Sequence, residues 1–188
     1  MNQRFFIAIL PPEAIQTEVI QIQNHFRDRY TNNKAETKSP PHITLIAPFN
    51  LSSDRLEPLQ IELEKFAKTR SHFAINLSGF AAFAPRVIYL NVSPNPILQS
   101  MYSDLTSTLT KNIDLTDPYA HRPFVPHMTV SSLSMTDRFF NEAWAEFCDR
   151  EIYFEFEAIA LTLLAIALTL LAHDQQKWNI HANFSFRA

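Results

Sequence analysis

The sequence predicts an α+β fold of two lobes around a shared cleft. Helical and strand patterns are interspersed along all 188 residues, and no linker separates independent domains. A short motif, histidine and threonine one residue apart directly after a proline, occurs once in each half. The first copy is His42-Ile43-Thr44-Leu45 after Pro41, and the second is His127-Met128-Thr129-Val130 after Pro126. Both sit in short apolar runs that read as strands. Side chains alternate along a strand, so His42 and Thr44 face one way while Ile43 and Leu45 enter a core, and the second copy behaves alike. Residues 1–188 therefore read as a single bilobal domain, long enough to bury a substantial core.

The elements follow in order. Phe5 to Leu10 reads as a strand, and Pro11-Pro12 opens a helix with Ile15, Val19, Ile22 and Phe26 on one face. A polar linker from Thr31 to Ser39 leads into the first motif strand, which ends near Phe49. Leu56, Leu59, Leu63 and Phe66 mark a second helix. Phe73, Ile75 and Leu77 alternate as a strand, and Val87 to Val92 forms another after a turn at Pro85. Ile97, Met101, Leu105 and Leu109 mark a third helix, and a loop from Asp114 to Pro126 delivers the second motif strand. Phe140, Trp144 and Phe147 mark a fourth helix, and the remainder reads as β structure. It closes on Trp178, Ile180, Ala182, Phe184 and Phe186, an alternation that puts all five on one face.

A tandem repeat complicates this last part. Ala158 to Leu164 reads Ala-Ile-Ala-Leu-Thr-Leu-Leu, and Ala165 to Leu171 repeats it letter for letter. The apolar run from Ala158 to Ala172 is shorter than the ~20 residues a membrane helix needs, and Glu155, Glu157, His173 and Asp174 flank it closely. No membrane span is expected. In a strand, Ile159, Leu161 and Leu163 share one face. Seven is odd, so the matching residues of the second copy fall on the other face. The pattern predicts a break, bulge or loop near Leu164 and Ala165. An alternative is a homodimer or strand exchange through Ala158 to Ala172, with Ile166, Leu168 and Leu170 buried against a partner chain.

Composition excludes several classes. Gly79 is the only glycine, so no glycine-rich loop cradles a phosphate and side chains must do that work. A formal net charge of -3 offers no broad footprint for duplex DNA. Cys148 stands alone, which suits a reducing compartment, and the N-terminus lacks the long apolar stretch of a signal peptide, so a cytoplasmic location is expected. The sequence has no His-Glu-x-x-His, cysteine pair or carboxylate cluster, so no metal and no cofactor is expected.

Two motif histidines on facing strands can work as base and acid across a phosphorus centre. Imidazole has an unperturbed pKa near ~6.5 and serves either role near neutral pH. The hydroxyls of Thr44 and Thr129, on the same faces, can donate to non-bridging phosphate oxygens as charge develops there.

Pro-His-Ile-Thr-Leu-Ile-Ala-Pro-Phe at Pro41 to Phe49, with Pro-His-Met-Thr-Val at Pro126 to Val130, resembles the 2H phosphoesterase superfamily, within it the 2'-5' RNA ligase and cyclic phosphodiesterase group. The resemblance runs from the Phe5 strand to the Trp178 strand. It implies a bilobal fold of two antiparallel-sheet lobes around a central cleft. It also implies metal-independent hydrolysis of 2',3'-cyclic phosphates on RNA ends or small nucleotides, with 2'-5' RNA ligation or nucleotide-monophosphate binding without turnover as alternatives. His42 and His127 inherit the catalytic roles, and Thr44 and Thr129 bind phosphate. Relatives that process RNA often carry a basic residue just after the second motif, whereas Ser131, Ser132 and Leu133 stand here. Arg122 and Arg86 are the candidates to neutralise phosphate instead. Phe49, Phe83, Tyr119 and Phe124 are candidates to stack a base at the cleft mouth, and His121 is a further site candidate.

Overall fold

The computed structural model of the chain describes residues 2–30, 39–131, 135–166 and 178–188, without the side chain of Ile166. Most of the Thr31 to Ser39 linker, Ser132, Leu133, Leu168 and Leu170 lie outside these residues. Strand β1 (Asn2–Ile9) leads to helix α1 (Glu13–Tyr30), motif strand β2 (Ile43–Ser52) and helix α2 (Ser53–Ala67). Strands β3 (Phe73–Phe83) and β4 (Val87–Val92) form a hairpin followed by helix α3 (Pro96–Ile113), motif strand β5 (His127–Thr129) and helix α4 (Asp137–Phe147). Strands β6 (Tyr153–Ala158), β7 (Ala160–Ile166) and β8 (Trp178–Ser185) complete the order.

The strands form two four-stranded antiparallel sheets, ordered β2-β1-β7-β8 and β5-β4-β3-β6. This is the predicted α+β architecture. Each half repeats one plan: an inner strand, a helix, an edge strand with a motif, and a second helix. The motif strands β2 and β5 are edge strands that lie against each other. Packing of the helices is exchanged. Helix α1 leaves the first sheet and packs on α4, with Phe26 against Phe147 at 4.4 Å between centroids, and Phe147 meets Phe80 of the second sheet. Helix α3 follows the second sheet yet packs on α2, which covers β2, β7 and β8. Short local signals set the helix starts: Asn95 caps α3 by accepting from the Leu98 N–H, with Pro96 at the first helical position, and Thr136 caps α4 by accepting from Phe139.

The described part of the repeat ends at Ile166 and meets its sequence expectation in part. The chain breaks at Ile159, where it passes from β6 in one sheet to β7 in the other, and the bulge expected near Leu164 is present as a register shift between Leu163 and Leu164 in the pairing with β8. Ile159 is accordingly 54% exposed and does not share the core face of Leu161 and Leu163. Strand β7 then runs unbroken through Leu164-Ala165, paired on both edges with β1 and β8. It can do so because both of its faces are buried: Leu161, Leu163 and Ala165 join the main core, while Leu164 joins a smaller cluster with Phe6 and Ala8. Residues 162–165, paired on both sides, therefore offer no free edge to another chain.

The closing strand also departs from simple alternation. Leu163 pairs with Ala182 and Leu164 with Ile180, so His181 is an extra residue in β8. This bulge flips the phase. Ala182 and Phe184 face the main core, whereas Trp178 packs on the opposite face with Phe6, Ala8 and Leu164, and Ile180 is 51% exposed.

Candidate active site

The bulge matters because the face carrying Trp178 also carries the first motif. Thr44 pairs with Ala8 across β1 and β2, and the His42 ring lies 4.7 Å from Phe6, which in turn meets Trp178 edge-on at 4.6 Å. His42 stands one residue before β2. On the second sheet, Thr129 pairs with Tyr89 and His127 with Asn91. The His127 ring lies 4.9 Å from Phe83 and 5.1 Å from Tyr89. Ile43, Leu45, Met128 and Val130 are buried, as alternation predicts, while the two histidines and two threonines between them stay half-buried.

Both imidazoles are held by the same device. His42 Nδ1 lies 2.7 Å from the Pro40 carbonyl, and His127 Nδ1 lies 2.7 Å from the Val125 carbonyl, in each case two residues upstream. A carbonyl only accepts, so each Nδ1 carries the hydrogen, and in the neutral ring Nε2 is left with the lone pair. Burial lowers the pKa of both histidines. His42 falls to about 4, by burial first, against the opposing bond to Pro40, and further through the charge of His127. Burial likewise lowers His127, partly offset by its bond to Val125. The contact of β2 with β5 brings the charge of His127 within reach of His42.

The loop before His127 is anchored to the first motif strand. Asp117 is buried and accepts from the Ala47 N–H of β2 at 3.3 Å, from the Tyr119 N–H at 3.2 Å and from the Tyr102 hydroxyl of α3 at 2.9 Å. On the other side, Gln23 of α1 donates from Nε2 to the Thr129 carbonyl at 3.0 Å.

The remaining candidates separate. Phe49 is 8% exposed and packs on Phe5 within the main core, so it cannot offer a face to a base. Phe124 stacks on Tyr102 at 4.0 Å and 8°. Arg122 lies 5.0 Å over the Tyr119 ring and donates to His121 Nε2, a surface group on the 114–126 loop. Arg86 is exposed in the turn between β3 and β4, its N–H bonded to the Phe83 carbonyl. Among the described residues, no hydrogen bond or ring contact joins Arg86, Tyr119, His121, Arg122 or Phe124 to either motif histidine. Phe83 remains, 40% exposed beside His127. Phe6, Tyr89, Trp178 and Gln23 were not distinguishable as site neighbours in the sequence, because each sits in an ordinary apolar or amphipathic pattern. Among the described residues no three His, Cys, Asp or Glu side chains group as a metal site, and no helix is long and apolar enough to cross a membrane.

The lowered His42 pKa has a measurable consequence for stability. The unfolded chain takes up this proton near pH ~6.5, the folded one only near 4. Stability present above the unfolded value is therefore lost as pH falls from there toward the folded value. The fall in urea midpoint between about pH 7 and about pH 5 should be smaller in His42→Gln than in wild type. An equal fall in both would place the proton elsewhere.

Two antiparallel sheets whose contacting edge strands each carry a His-x-Thr motif fit the 2H phosphoesterase class. Residues 11–169 match the 2'-5' RNA ligase superfamily, and the chain belongs to that family. Similar proteins include "Putative phosphoesterase GK0864" of Geobacillus kaustophilus, 33% identical over 132 residues that cover 68% of each chain. "Putative phosphoesterase Bcer98_0945" of Bacillus cytotoxicus is 29% identical over 181 residues, covering 95% of this chain and 94% of its own. In fold the chain is similar to E. coli LigT complexed with 3'-AMP, with a TM-score of 0.69, 18% identity and 99% of each chain covered. E. coli LigT complexed with NADP+ superposes with a TM-score of 0.66 at 19% identity over 100% of each chain.

Proposed function

We propose that the cleft opens 2',3'-cyclic phosphates, on RNA ends or small nucleotides, to monoesters by paired-histidine acid–base catalysis without a metal ion. The supporting observation is the matched pair of clamps, which fixes each imidazole by Nδ1 and leaves proton transfer to Nε2. One neutral Nε2 takes a proton from water as its oxygen attacks phosphorus. The bond from phosphorus to one ribose oxygen breaks, and the second histidine gives that oxygen its Nε2 proton. His42, held neutral more firmly, suits the base, and His127 the acid. Thr44 and Thr129 donate to the non-bridging oxygens.

Phe83, exposed beside His127, is the aromatic ring best disposed to meet a nucleobase. Structures of the same fold hold 3'-AMP and NADP+, which supports a nucleotide-sized ligand here. The family match keeps 2'-5' RNA joining as a second reading, in which a ribose hydroxyl of a second strand replaces water as the attacking group. Retention of two proton-transfer groups argues against a binding module without turnover, and the lone thiol of Cys148 suits work in the cytoplasm.

The test is turnover of all four nucleoside 2',3'-cyclic phosphates by the purified protein in EDTA. Activity should persist, and kcat/KM should be bell-shaped in pH. The acid limb falls as the base imidazole protonates and the alkaline limb as the acid imidazole loses its proton. Burial lowers both histidines, so the maximum should lie at or below their unperturbed value of ~6.5. Loss of activity in EDTA, restored by zinc or manganese, would transfer the protein to metal-dependent chemistry.

A further inference from the structure

Helix α1 turns a core-facing stripe of Val19, Gln23, Phe26 and Tyr30 inward. Three of these are apolar or aromatic, as the helical period demands, and the fourth is an amide only 8% exposed. Its Nε2 donates to the Thr129 carbonyl at 3.0 Å, while its Oε1 is buried with no partner among the described residues. A half-satisfied amide is a costly occupant of a core stripe, where an apolar side chain of similar size would pack without that cost. Its position is informative. Strand β5 has three residues, sits at a sheet edge and pairs on one side only, with β4. The segment from β1 into α1 thus touches both motifs, through Phe6 on His42 and through Gln23 on Thr129.

From this juxtaposition we propose that Gln23 is a positioning residue that sets the orientation of Thr129 relative to the first motif. It acts through the Thr129 backbone and does not itself touch substrate. The inference rests on the proposed phosphoesterase reading, and specifically on Thr129 as a phosphate donor.

The experiment compares wild type, Gln23→Met, Gln23→Glu, Thr129→Ala and the Gln23→Met/Thr129→Ala double variant. Each is assayed for cyclic-phosphate turnover and for binding of inorganic phosphate by calorimetry, with thermal melts as the fold control. Methionine keeps the volume and removes the donor; glutamate keeps the shape and turns an acceptor toward a carbonyl. Gln23→Met should lower kcat/KM and phosphate affinity about tenfold, the order of one lost hydrogen bond, and Gln23→Glu should lower them further. In the Thr129→Ala background the methionine change should cost less than about twofold, because its route is already cut. The same loss in both backgrounds, or wild-type phosphate binding in both Gln23 variants, overturns the inference while leaving the phosphoesterase reading intact. A wild-type protein that neither turns over cyclic phosphates nor binds phosphate overturns both.

Discussion

Replacing His42 or His127 with alanine is expected to lower turnover of a 2',3'-cyclic phosphate by about 100-fold or more, with the fold retained, because each imidazole carries a proton transfer worth that order. The fold should survive because both rings are half-buried and stand at the start of motif strands that lie at sheet edges. Residues that act as a unit are not additive, so the double variant should be about as inactive as the worse single one. Steady-state kinetics on variants with wild-type circular dichroism and melting checks this. Turnover within a few-fold of wild type in either folded variant would remove the two-histidine mechanism.

A second large effect is expected at Asp117, which is only 5% exposed. Alanine there leaves the Ala47 N–H, the Tyr119 N–H and the Tyr102 hydroxyl without their acceptor. The Ala47 N–H is buried, and a donor stranded in this way costs about 1 to 3 kcal/mol, whereas the part-buried Tyr119 N–H and Tyr102 hydroxyl are nearer water and cost less. Partial relaxation of the loop should leave a net loss of about 2 to 4 kcal/mol. Because Asp117 ties the loop that delivers His127 to the strand that carries Thr44, turnover should fall even in the folded fraction. Urea denaturation measures the first effect, and kinetics well below the unfolding midpoint the second. An unmoved midpoint would mean that the three donors find other acceptors.

Legibility differed from residue to residue. Alternation around Ile43-Thr44-Leu45 and Met128-Thr129-Val130 placed apolar side chains in the core and the motif side chains on the other face, and these positions are buried and half-buried accordingly. The same reasoning failed at Phe184 and Trp178, which alternate cleanly in sequence but face opposite sides of the sheet, since the extra residue His181 is defined only by what β7 pairs with. It failed also at Ile159, where the strand pattern continues while the chain changes sheets. Phe49, a candidate to stack a base at the cleft mouth, instead packs on Phe5 from the neighbouring strand.

Taken by itself, the amino-acid sequence determined the order and kind of the elements, the two-lobed α+β class, the family resemblance and the paired motifs. These depend on periods of two and 3.6 residues and on short contiguous patterns, which act over a few positions of chain. Only the tertiary structure decided the exchange of α1 and α3 between sheets, the bulge that turns Trp178 toward Phe6, the rings around each histidine and the reach of Gln23 to Thr129. Those features arise from partners far apart in the chain. A one-residue shift in register moves a side chain to the opposite face, and a burial cost is set by whichever remote group meets it there.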